Sequence, residues 1–398
     1  METNIGLFNE SFPPVMDGVA VCVQNYAYWM QKKAGGVSVI TPNVPGADYS
    51  QYEYEVLDYF SVPVPFSHPY VTGIAEIDPA FLTKILKRTF KIVHAHSPFA
   101  AGMAAAKVAR HLRIPLVATF HSKYRDNFDR VIHAKPVVDQ LIKRIVGFYE
   151  HADEVWVPQE SVKAVLRDYG YKGSIEVVHN GSDLVDDYPD AYFTNARETL
   201  GIQPDEFTFL FVGQHIWEKN VKLIIEALEK VKDLPFRMLF VGNGYAANAM
   251  KEMVHEKGLD RQVTFVGTVT ERETIKQYYA AADLFLFPSL YDTDGLVVKE
   301  AAALHTASVM VETATAASIV TNGEDGFLIP DDADRFAQLL RELIHDPERV
   351  RRVGLQASQS LVRSWEDIVD EVLDRYNRLI ARTKLIPIKG RSDDPSGQ

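Results

Sequence analysis

The sequence has a single cysteine, Cys22, among its 398 residues. One cysteine excludes an intramolecular disulfide and a multi-cysteine metal site, so we expect a reducing compartment and a Cys22 that packs as a small hydrophobic side chain. Long apolar runs are also missing, since no window reaches about 18 uninterrupted apolar residues, and the opening METNIGLFNESF is not typical of a signal peptide. We therefore expect a cytoplasmic protein that does not span a membrane, with peripheral association at the inner face of the cell membrane left open.

Positive charge is scarce overall but concentrated in one region. The chain has 42 Lys and Arg against 54 Asp and Glu, a net charge of -12. Between positions 83 and 144, however, thirteen basic residues accompany only three acidic ones. This local basic region lacks interleaved aromatic residues that could stack on bases, so we expect no nucleic-acid partner. The oligomeric state is not indicated by the sequence.

Length and periodicity predict the fold class. A chain of 398 residues favours two domains, and short apolar runs alternate with helical stretches, which is typical of parallel sheets built from βαβ units. In the first half six strands are predicted, none of them between Thr41 and Ile92. The alternation breaks between Gly181 and Thr194 and restarts at Phe207. We predict an α/β fold of two Rossmann-like, doubly wound parallel-sheet domains facing a cleft: domains at 1–184 and 185–364, a helix at 365–384 that packs back on the N-terminal domain, and a flexible tail at 385–398.

The most informative local pattern is PSLYDTDGLVVKEAAAL, which follows the apolar run LFLF. It predicts a loop, a close backbone approach at Gly295 and a helix from Leu296, whose free N-terminal amides can bind an anion or a sugar hydroxyl. Asp292 and Glu300 lie eight residues apart and could hold hydroxyl groups at opposite ends of one extended ligand. Alternatively, the acidic residues of the loop are turn and capping residues and Glu300 is a surface charge.

Three other strand ends carry candidate binding residues. Lys219, in FVGQHIWEKNVKL, precedes a predicted helix and could neutralise a diphosphate, or it could be an ordinary solvated lysine. Gly18 opens the first helix and would let the backbone approach a ligand. His121 ends a strand at the carboxyl edge of the sheet, where open α/β sheets bind ligands. A two-residue turn at Gly18 and a structural histidine are the alternatives.

An ordered set of blocks in the chain resembles glycosyltransferase family 4, whose members have the GT-B fold and retain anomeric configuration. The blocks are GLFNESFPPVMDGVA, IVHAHSP, IPLVATFH, VVHNGSD, FVGQHIWEKN, VTFVGTV, FLFPSLYDTDGLVVKEA and TNGEDGFLIP. Within that family the DTDG-type loop and the FVGQHIW block look similar to bacterial diacylglycerol glucosyltransferases.

The resemblance implies roles for individual residues. His121 would contact the transferred sugar, Lys219 the diphosphate, Asp292 the sugar and Glu300 the ribose of the nucleotide. It assigns His121, Lys219 and Asp292 to catalysis, and it assigns donor binding to Gly18, Gln214, Lys219, Val269, Asp292, Gly295, Leu296, Val297 and Glu300. The co-substrate would be a nucleotide sugar, with UDP-glucose as the expectation although the sequence does not specify the base or the sugar, and with no other cofactor and no metal.

Two positions depart from the family pattern. Gln214 stands where the family has an arginine, which removes one cation from the leaving diphosphate. Asp292 stands where the first acid is usually glutamate, one methylene longer. Either the donor sugar sits slightly differently, or another basic residue such as Lys123 or Arg125 compensates.

The basic region suggests where the acceptor binds. Acceptors in this fold bind mainly to the N-terminal domain, and the segment FLTKILKRTFK predicts a basic amphipathic helix that could lie on an anionic membrane leaflet. The acceptor or membrane residues are predicted to be Lys84, Lys87, Arg88, Lys91, Lys143 and Arg144. A lipid acceptor such as diacylglycerol is one expectation. The alternatives are an enzyme with a soluble sugar acceptor, a sugar-nucleotide epimerase of the same fold, and a non-catalytic sugar-nucleotide sensor.

Overall fold

The computed structural model describes residues 4–15, 17–63, 71–203 and 205–385, which form two α/β domains. The predicted flexible tail at 385–398 lies outside the described residues except for Leu385, the last residue of the final helix. Among the described residues, no helix combines the length and the apolar character needed to cross a membrane.

The N-terminal domain is built on a seven-stranded parallel sheet in the order β3-β2-β1-β6-β7-β8-β9, with β4 and β5 forming a separate antiparallel pair. The strands are β1 (Ile5–Phe8), β2 (Val37–Pro42), β3 (Glu55–Tyr59), β4 (Ser61–Pro63), β5 (Val71–Gly73), β6 (Ile92–Ala95), β7 (Leu116–Thr119), β8 (Glu154–Val157) and β9 (Glu176–Val177). The helices are α1 (Gly18–Ala34), α2 (Pro79–Ile85), α3 (Ala100–Leu112), α4 (Tyr124–Val131), α5 (Lys135–Tyr149) and α6 (Glu160–Asp168).

The C-terminal domain contains a six-stranded parallel sheet in the order β12-β11-β10-β13-β14-β15. Its strands are β10 (Phe207–Val212), β11 (Phe236–Val241), β12 (Val263–Gly267), β13 (Leu284–Leu286), β14 (Ala307–Val311) and β15 (Phe327–Ile329). Its helices are α7 (Asp190–Thr199), α8 (Val221–Glu229), α9 (Ala247–Glu256), α10 (Arg272–Ala281), α11 (Leu296–Ala303), α12 (Ala333–Ile344) and α13 (Pro347–Ser360). Strand order reverses between β10 and β13, and between β1 and β6 in the other sheet. Open α/β sheets bind ligands beyond the carboxyl ends of the strands at such switch points.

The predicted class of two doubly wound parallel-sheet domains is confirmed. Central strands such as β1 and β14 are buried along their whole length, as expected for a sheet covered by helices on both faces. The prediction of no strand between Thr41 and Ile92 is wrong, because β3 pairs with β2 at the sheet edge. Its sequence EVLDY buries only Leu57 and Tyr59, so it lacks the continuous apolar run by which the other strands were recognised.

The stretch from Gly181 to Thr194, where the alternation of strands and helices breaks in the sequence, is partly helical. Helix α7 begins at Asp190, inside the polar stretch, and Tyr188, Tyr192 and Phe193 pack against the C-terminal core. This polar stretch therefore contains a helix because the core of the C-terminal domain partly buries the rings of Tyr192 and Phe193.

The final helix, α14 (Trp365–Leu385), packs against α1 of the N-terminal domain. Trp365 is buried, and its ring lies 5.6 Å from that of Tyr26 on α1. The chain passes between the domains twice, near Ser182 and near Arg363, and we call these two segments the domain crossings. They lie side by side, since the Ser182 amide donates to the Arg363 carbonyl at 2.9 Å. A Cβ added at Gly181 would lie 2.6 Å from the Trp365 nitrogen. Gly181 therefore allows the crossings to touch.

Candidate functional site

The domains meet along the carboxyl ends of their central strands. The loop after β13 reaches the N-terminal domain, where its Leu290 carbonyl accepts a 2.9 Å hydrogen bond from Lys123 Nζ. The Tyr291 hydroxyl donates to Asn127 Oδ1 at 2.6 Å. Thr293 donates to the main-chain carbonyl of His121. These contacts bring the candidate residues of both halves of the sequence to one cleft.

Lys219 and Asp292 form an ion pair in this cleft. Lys219 ends a single 3-10 turn after β10, and its Nζ lies 2.7 and 2.8 Å from the two carboxylate oxygens of Asp292. Ser289 Oγ donates to Asp292 Oδ2 at 2.5 Å, and the ammonium group lies 5.2 Å from the centre of the Phe287 ring. Both side chains are mostly buried, with 13% and 20% exposed. Lys219 is therefore not an ordinary solvated lysine.

The loop carrying Gln214 is shaped by close glycine contacts. A Cβ on Gly242 would lie 1.9 Å from the Gly213 carbonyl oxygen, and one on Gly244 would lie 2.4 Å from the His215 carbonyl oxygen. Only glycine therefore lets the loop after β11 pack on the loop after β10. Gln214 is exposed at this carboxyl edge. His215 beside it is buried, and burial together with Lys251 lowers its pKa to about 4.

Helix α11 begins at the cleft. Gly295 precedes it with a φ of 64°, a left-handed conformation that favours glycine. Leu296 and Val297 hold the first two helical positions, where amides have no partner inside the helix. A Cβ on Gly18 would lie 3.8 Å from Leu296 Cδ1, so the start of α1 faces the start of α11. Val269, in the loop after β12, packs against the C-terminal core.

Glu300 is buried in a network of hydrogen bonds, with 8% of its surface exposed. Arg272 Nη2 donates to Glu300 Oε1 at 3.0 Å, and the Tyr279 hydroxyl donates to Oε2 at 2.8 Å. Arg272 also binds both carboxylate oxygens of Asp183, at 2.9 and 2.5 Å. Glu300 is therefore not the surface charge of the alternative interpretation.

Three buried histidines lie on the N-terminal side of the cleft. His94 contacts the Tyr376 hydroxyl at 2.6 Å and Thr119 Oγ1 at 2.7 Å, and His96 Nδ1 lies 3.0 Å from His121 Nε2. Burial lowers the pKa of His121 to about 4, although the carboxylate of Asp294 partly opposes this shift. His121 is therefore neutral at neutral pH.

Cys22 is buried next to these histidines. Its thiol lies 3.3 Å from Asn180 Oδ1, and potential ligand atoms of Cys22, His96 and His121 lie within 4.8 Å of one another. Burial raises the pKa of the Cys22 thiol well above its usual value. The thiol is therefore protonated at neutral pH and acts as a hydrogen-bond donor to Asn180.

A second buried ion pair lies between the cleft loop and α11. Lys299 Nζ lies 2.8 and 2.9 Å from the oxygens of Asp294, and the two side chains are only 5% and 6% exposed. Asn180, next to the domain crossing, donates to Asp294 Oδ2 at 2.9 Å and accepts from Lys299 at its carbonyl oxygen, 3.3 Å away. The pair therefore joins the loop to the crossing.

Comparison with known proteins places the chain in a family. The family model for glycosyltransferase family 4 matches residues 16–186, and the model for glycosyl transferases group 1 matches residues 193–360. Each match covers one of the two domains described above.

The chain belongs to glycosyltransferase family 4.

Two similar relatives are named alpha-monoglucosyldiacylglycerol synthase. The one from Streptococcus pneumoniae is 26% identical over 358 residues, covering 86% of this chain and 79% of the relative. The one from Acholeplasma laidlawii is 24% identical over 397 residues, covering 94% and 98%. A crystal structure of Anabaena HepE in complex with UDP and glucose superposes with a TM-score of 0.76 at 18% identity, covering 95% of this chain and all of that one. It shares the GT-B fold with this glycosyltransferase.

The basic segment of the glycosyltransferase is not the continuous amphipathic helix that its sequence predicts. Helix α2 ends at Ile85, so Lys84 lies on a helix whereas Lys87, Arg88 and Lys91 follow it. The apolar side of the segment is buried in the N-terminal core through Phe81, Ile85 and Phe90. Periodicity alone does not distinguish a face that covers a core from one that meets a membrane.

The two other predicted acceptor residues lie on an exposed surface. Lys143 and Arg144 are exposed on α5, whereas Arg88 is partly buried and pairs with Glu55. Exposed apolar side chains, which the sequence analysis missed, lie on α3, α4, α5 and the loop before α3: Phe99, Met103, Val131 and Val137. Phe99 packs edge-on against Tyr124 and Phe128 of α4. Because Asn127 on the same helix contacts the cleft loop, α4 and the Phe99 ring that packs on it border the cleft.

Arg272 and Lys299 are two of the polar residues of the site that sequence reasoning missed. Arg272 follows the carboxyl end of β12, the sheet edge at which the other candidates were found, and this position was the available signal. Lys299 lies among apolar residues of α11 with no local sign that its partner is Asp294. Arg125, considered as a replacement for the missing family arginine, pairs with Asp139 at 2.9 Å, whereas Lys123 contacts the cleft loop.

Proposed function

We propose that this glycosyltransferase transfers glucose from UDP-glucose to a hydroxyl group of diacylglycerol at a membrane surface, with retention of anomeric configuration. The observation that carries the proposal is the arrangement of the cleft. The partly buried Lys219 and Asp292 follow the carboxyl ends of the adjacent strands β10 and β13, and α11, which follows the Asp292 loop, contributes its N-terminus and the buried Glu300. This order of groups suits a diphosphate flanked by a sugar and a ribose.

Each group has a role in binding the donor. Lys219 and the amides of Leu296 and Val297 hold the diphosphate, and Glu300 accepts hydrogen bonds from the ribose. Asp292 and the neutral His121 bind hydroxyl groups of the transferred sugar. Because Lys219 and Asp292 bind each other in this structure, the donor separates them, with the phosphate replacing Asp292 as the partner of the ammonium group.

Lys123 provides the second cation in place of the family arginine that Gln214 replaces. Its ammonium group binds the loop that carries Asp292. Burial lowers the pKa of Lys123, while Asp126 and Asp292 oppose this shift. A lysine held at the cleft on the N-terminal side reaches a leaving diphosphate once the donor is bound.

The transfer step conserves atoms and charge within the two substrates. The bond from the sugar anomeric carbon to the phosphate oxygen breaks, and a bond from the same carbon to the acceptor oxygen forms on the same face. The acceptor proton passes to the departing phosphate oxygen. Lys219 stabilises the negative charge that develops on the diphosphate, which is the kind of interaction that accelerates such a step most.

The acceptor assignment rests on the relatives and on the exposed surface beside the cleft. Both named relatives are synthases of monoglucosyldiacylglycerol. The apolar residues Phe99, Met103, Val131 and Val137 are suited to contact lipid chains, and Lys143 and Arg144 are suited to contact anionic head groups.

A soluble sugar acceptor is the second candidate, and the burial of the apolar side of the Lys84 to Lys91 segment favours it. Product analysis separates the two. The full-length protein is incubated with UDP-, GDP- and ADP-glucose, each with diacylglycerol vesicles, with a panel of free sugars, or with no acceptor. We expect glucosyldiacylglycerol from UDP-glucose alone. If product forms on a free sugar and not on diacylglycerol, the second candidate is supported. Conversion of the nucleotide sugar into another nucleotide sugar without an acceptor would indicate an epimerase.

Charge reversal on α5 should weaken membrane binding. In the double variant Lys143→Glu/Arg144→Glu, we expect binding to vesicles rich in anionic lipid to fall about thirtyfold or more, since each cation near the surface contributes about 1 kcal/mol. Co-sedimentation measures this. The matched control, Arg351→Glu/Arg352→Glu, makes the same change at two adjacent exposed residues of α13 in the other domain and should bind like the wild type. Equal loss in both variants would contradict a membrane surface on α5.

A further inference from the structure

Arg272 is a component of the cleft that the sequence motifs did not indicate. We propose that Arg272 is a positioning residue, which holds the Glu300 carboxylate in the orientation that binds the ribose of the nucleotide. The inference rests on the proposed function, since it concerns the same nucleotide site.

The guanidinium group is fixed at two of its edges. Arg272 is the first residue of α10, at the carboxyl end of β12. Its Nε and Nη2 bind the two oxygens of Asp183 at 2.9 and 2.5 Å, and Nη2 also binds Glu300 Oε1 at 3.0 Å. This planar, forked geometry is available to arginine but not to lysine. Asp183 therefore sets the plane in which Arg272 meets Glu300.

Glu300 receives one hydrogen bond on each of its oxygens. The second comes from the Tyr279 hydroxyl, 2.8 Å from Oε2. Burial and the neighbouring Glu300 raise the pKa of Tyr279 well above its usual value, so the hydroxyl stays protonated and donates. Each carboxylate oxygen accepts about two hydrogen bonds. One acceptor position therefore remains on each oxygen, which matches the two adjacent hydroxyl groups of a ribose.

The positive charge of Arg272 compensates the buried negative charge of Glu300. Glu300 is buried with 8% of its surface exposed, and a buried carboxylate requires a partner of opposite charge. Ribose hydroxyl groups are neutral donors and cannot supply that charge. Lys299, the basic neighbour of Glu300 in sequence, is bound to Asp294. Arg272 is thus the cation that the described structure places on Glu300.

The test compares a ribonucleotide with its deoxy counterpart. Isothermal calorimetry on the full-length protein measures the affinity of UDP and of 2′-deoxy-UDP, or of the GDP or ADP pair if the wild type binds that nucleotide more tightly. In the wild type the ribonucleotide binds more tightly. In Arg272→Gln we expect ribonucleotide affinity to fall about tenfold to hundredfold, the effect of losing a hydrogen bond to a charged group. Affinity for the deoxynucleotide should fall less, because it can lose only the contact of Glu300 with the 3′-hydroxyl, so the ratio of the two affinities moves towards one. The affinity ratio of Arg272→Lys should lie between those of the wild type and Arg272→Gln.

Two further variants keep the outcomes distinct. Arg341→Gln is the matched control, because Arg341 also makes two hydrogen bonds to one carboxylate, that of Asp233, which precedes β11 at the amino edge of the same sheet. This variant should leave the affinity ratio unchanged. In Glu300→Gln, the ratio of ribonucleotide to deoxynucleotide affinity should fall as it does in Arg272→Gln. If Glu300→Gln loses it and a folded Arg272→Gln keeps it, the inference is wrong while the proposed function stands. If neither variant changes the ratio, or the wild type binds none of the three nucleotides, the proposed function itself is contradicted.

Discussion

Replacing Lys219 by alanine lowers kcat for glucose transfer by about 10²- to 10³-fold, the loss typical for removing one stabiliser of developing negative charge from a pre-organised site. Lys219 Nζ is held in place by Asp292 and by the face of the Phe287 ring. It is only 13% exposed, so water screens its charge less than that of a surface lysine. The cation is therefore well placed for a diphosphate whose charge increases as the sugar leaves.

Steady-state kinetics with the nucleotide sugar varied at saturating acceptor measure this effect. Lys222→Ala is the matched control, because Lys222 lies three residues later in the first turn of α8, with 62% of its side chain exposed, and pairs only loosely with Glu226, at 3.5 Å. Its kcat should stay within about twofold of the wild type, as expected for a surface charge. A folded Lys219→Ala variant whose kcat also stays within that range would contradict the assignment.

Replacing Lys299 by methionine destabilises the C-terminal domain by about 3–5 kcal/mol, the typical cost of removing one partner from a buried ion pair. Methionine keeps most of the apolar volume of the lysine stem, so the change isolates the charge. Asp294 would remain buried with one hydrogen bond from Asn180, 2.9 Å away, and no cation beside it. Loss of this pair should also weaken the attachment of the cleft loop to the domain crossing.

Urea unfolding of the C-terminal domain measures this effect, with each domain followed separately because a two-domain chain need not unfold in one step. In the double variant Lys299→Met/Asp294→Asn, most of the stability should return, since no unpaired charge stays buried. Arg351→Met, which removes the exposed Arg351–Glu348 pair on α13, should leave the unfolding midpoint nearly unchanged. A Lys299→Met variant as stable as Arg351→Met would show that Asp294 does not depend on its partner.

The sequence predicted those parts of the site that follow from local chain geometry. A strand followed by a loop and a helix places the loop residues at the carboxyl edge of a parallel sheet, and this pattern located His121, Lys219 and Asp292. The structure brings the three to one cleft through contacts between domains, such as that of Thr293 with the His121 carbonyl. Their chemical roles remain predictions.

Features that depend on tertiary packing could not be read from the sequence. Arg272 and Glu300 are 28 positions apart, and Asn180 and Asp294 are 114 apart, so no local pattern joins them. The prediction of a membrane-binding helix from Lys84 to Lys91 was wrong although a local pattern exists there. The apolar periodicity of the segment is real, but it describes a face buried under the N-terminal domain, and a membrane-binding helix has the same pattern.

The anomeric configuration of the product tests the proposed reaction most directly. The wild-type protein is incubated with UDP-glucose, whose glucose is α-linked, and diacylglycerol vesicles, and the purified glycolipid is examined by proton NMR. Transfer with retention predicts a glucosyldiacylglycerol whose anomeric proton shows the small coupling constant of an α-linkage. A β-linked glycolipid, or a lipid fraction that carries no glucose while the donor is consumed, would contradict the account.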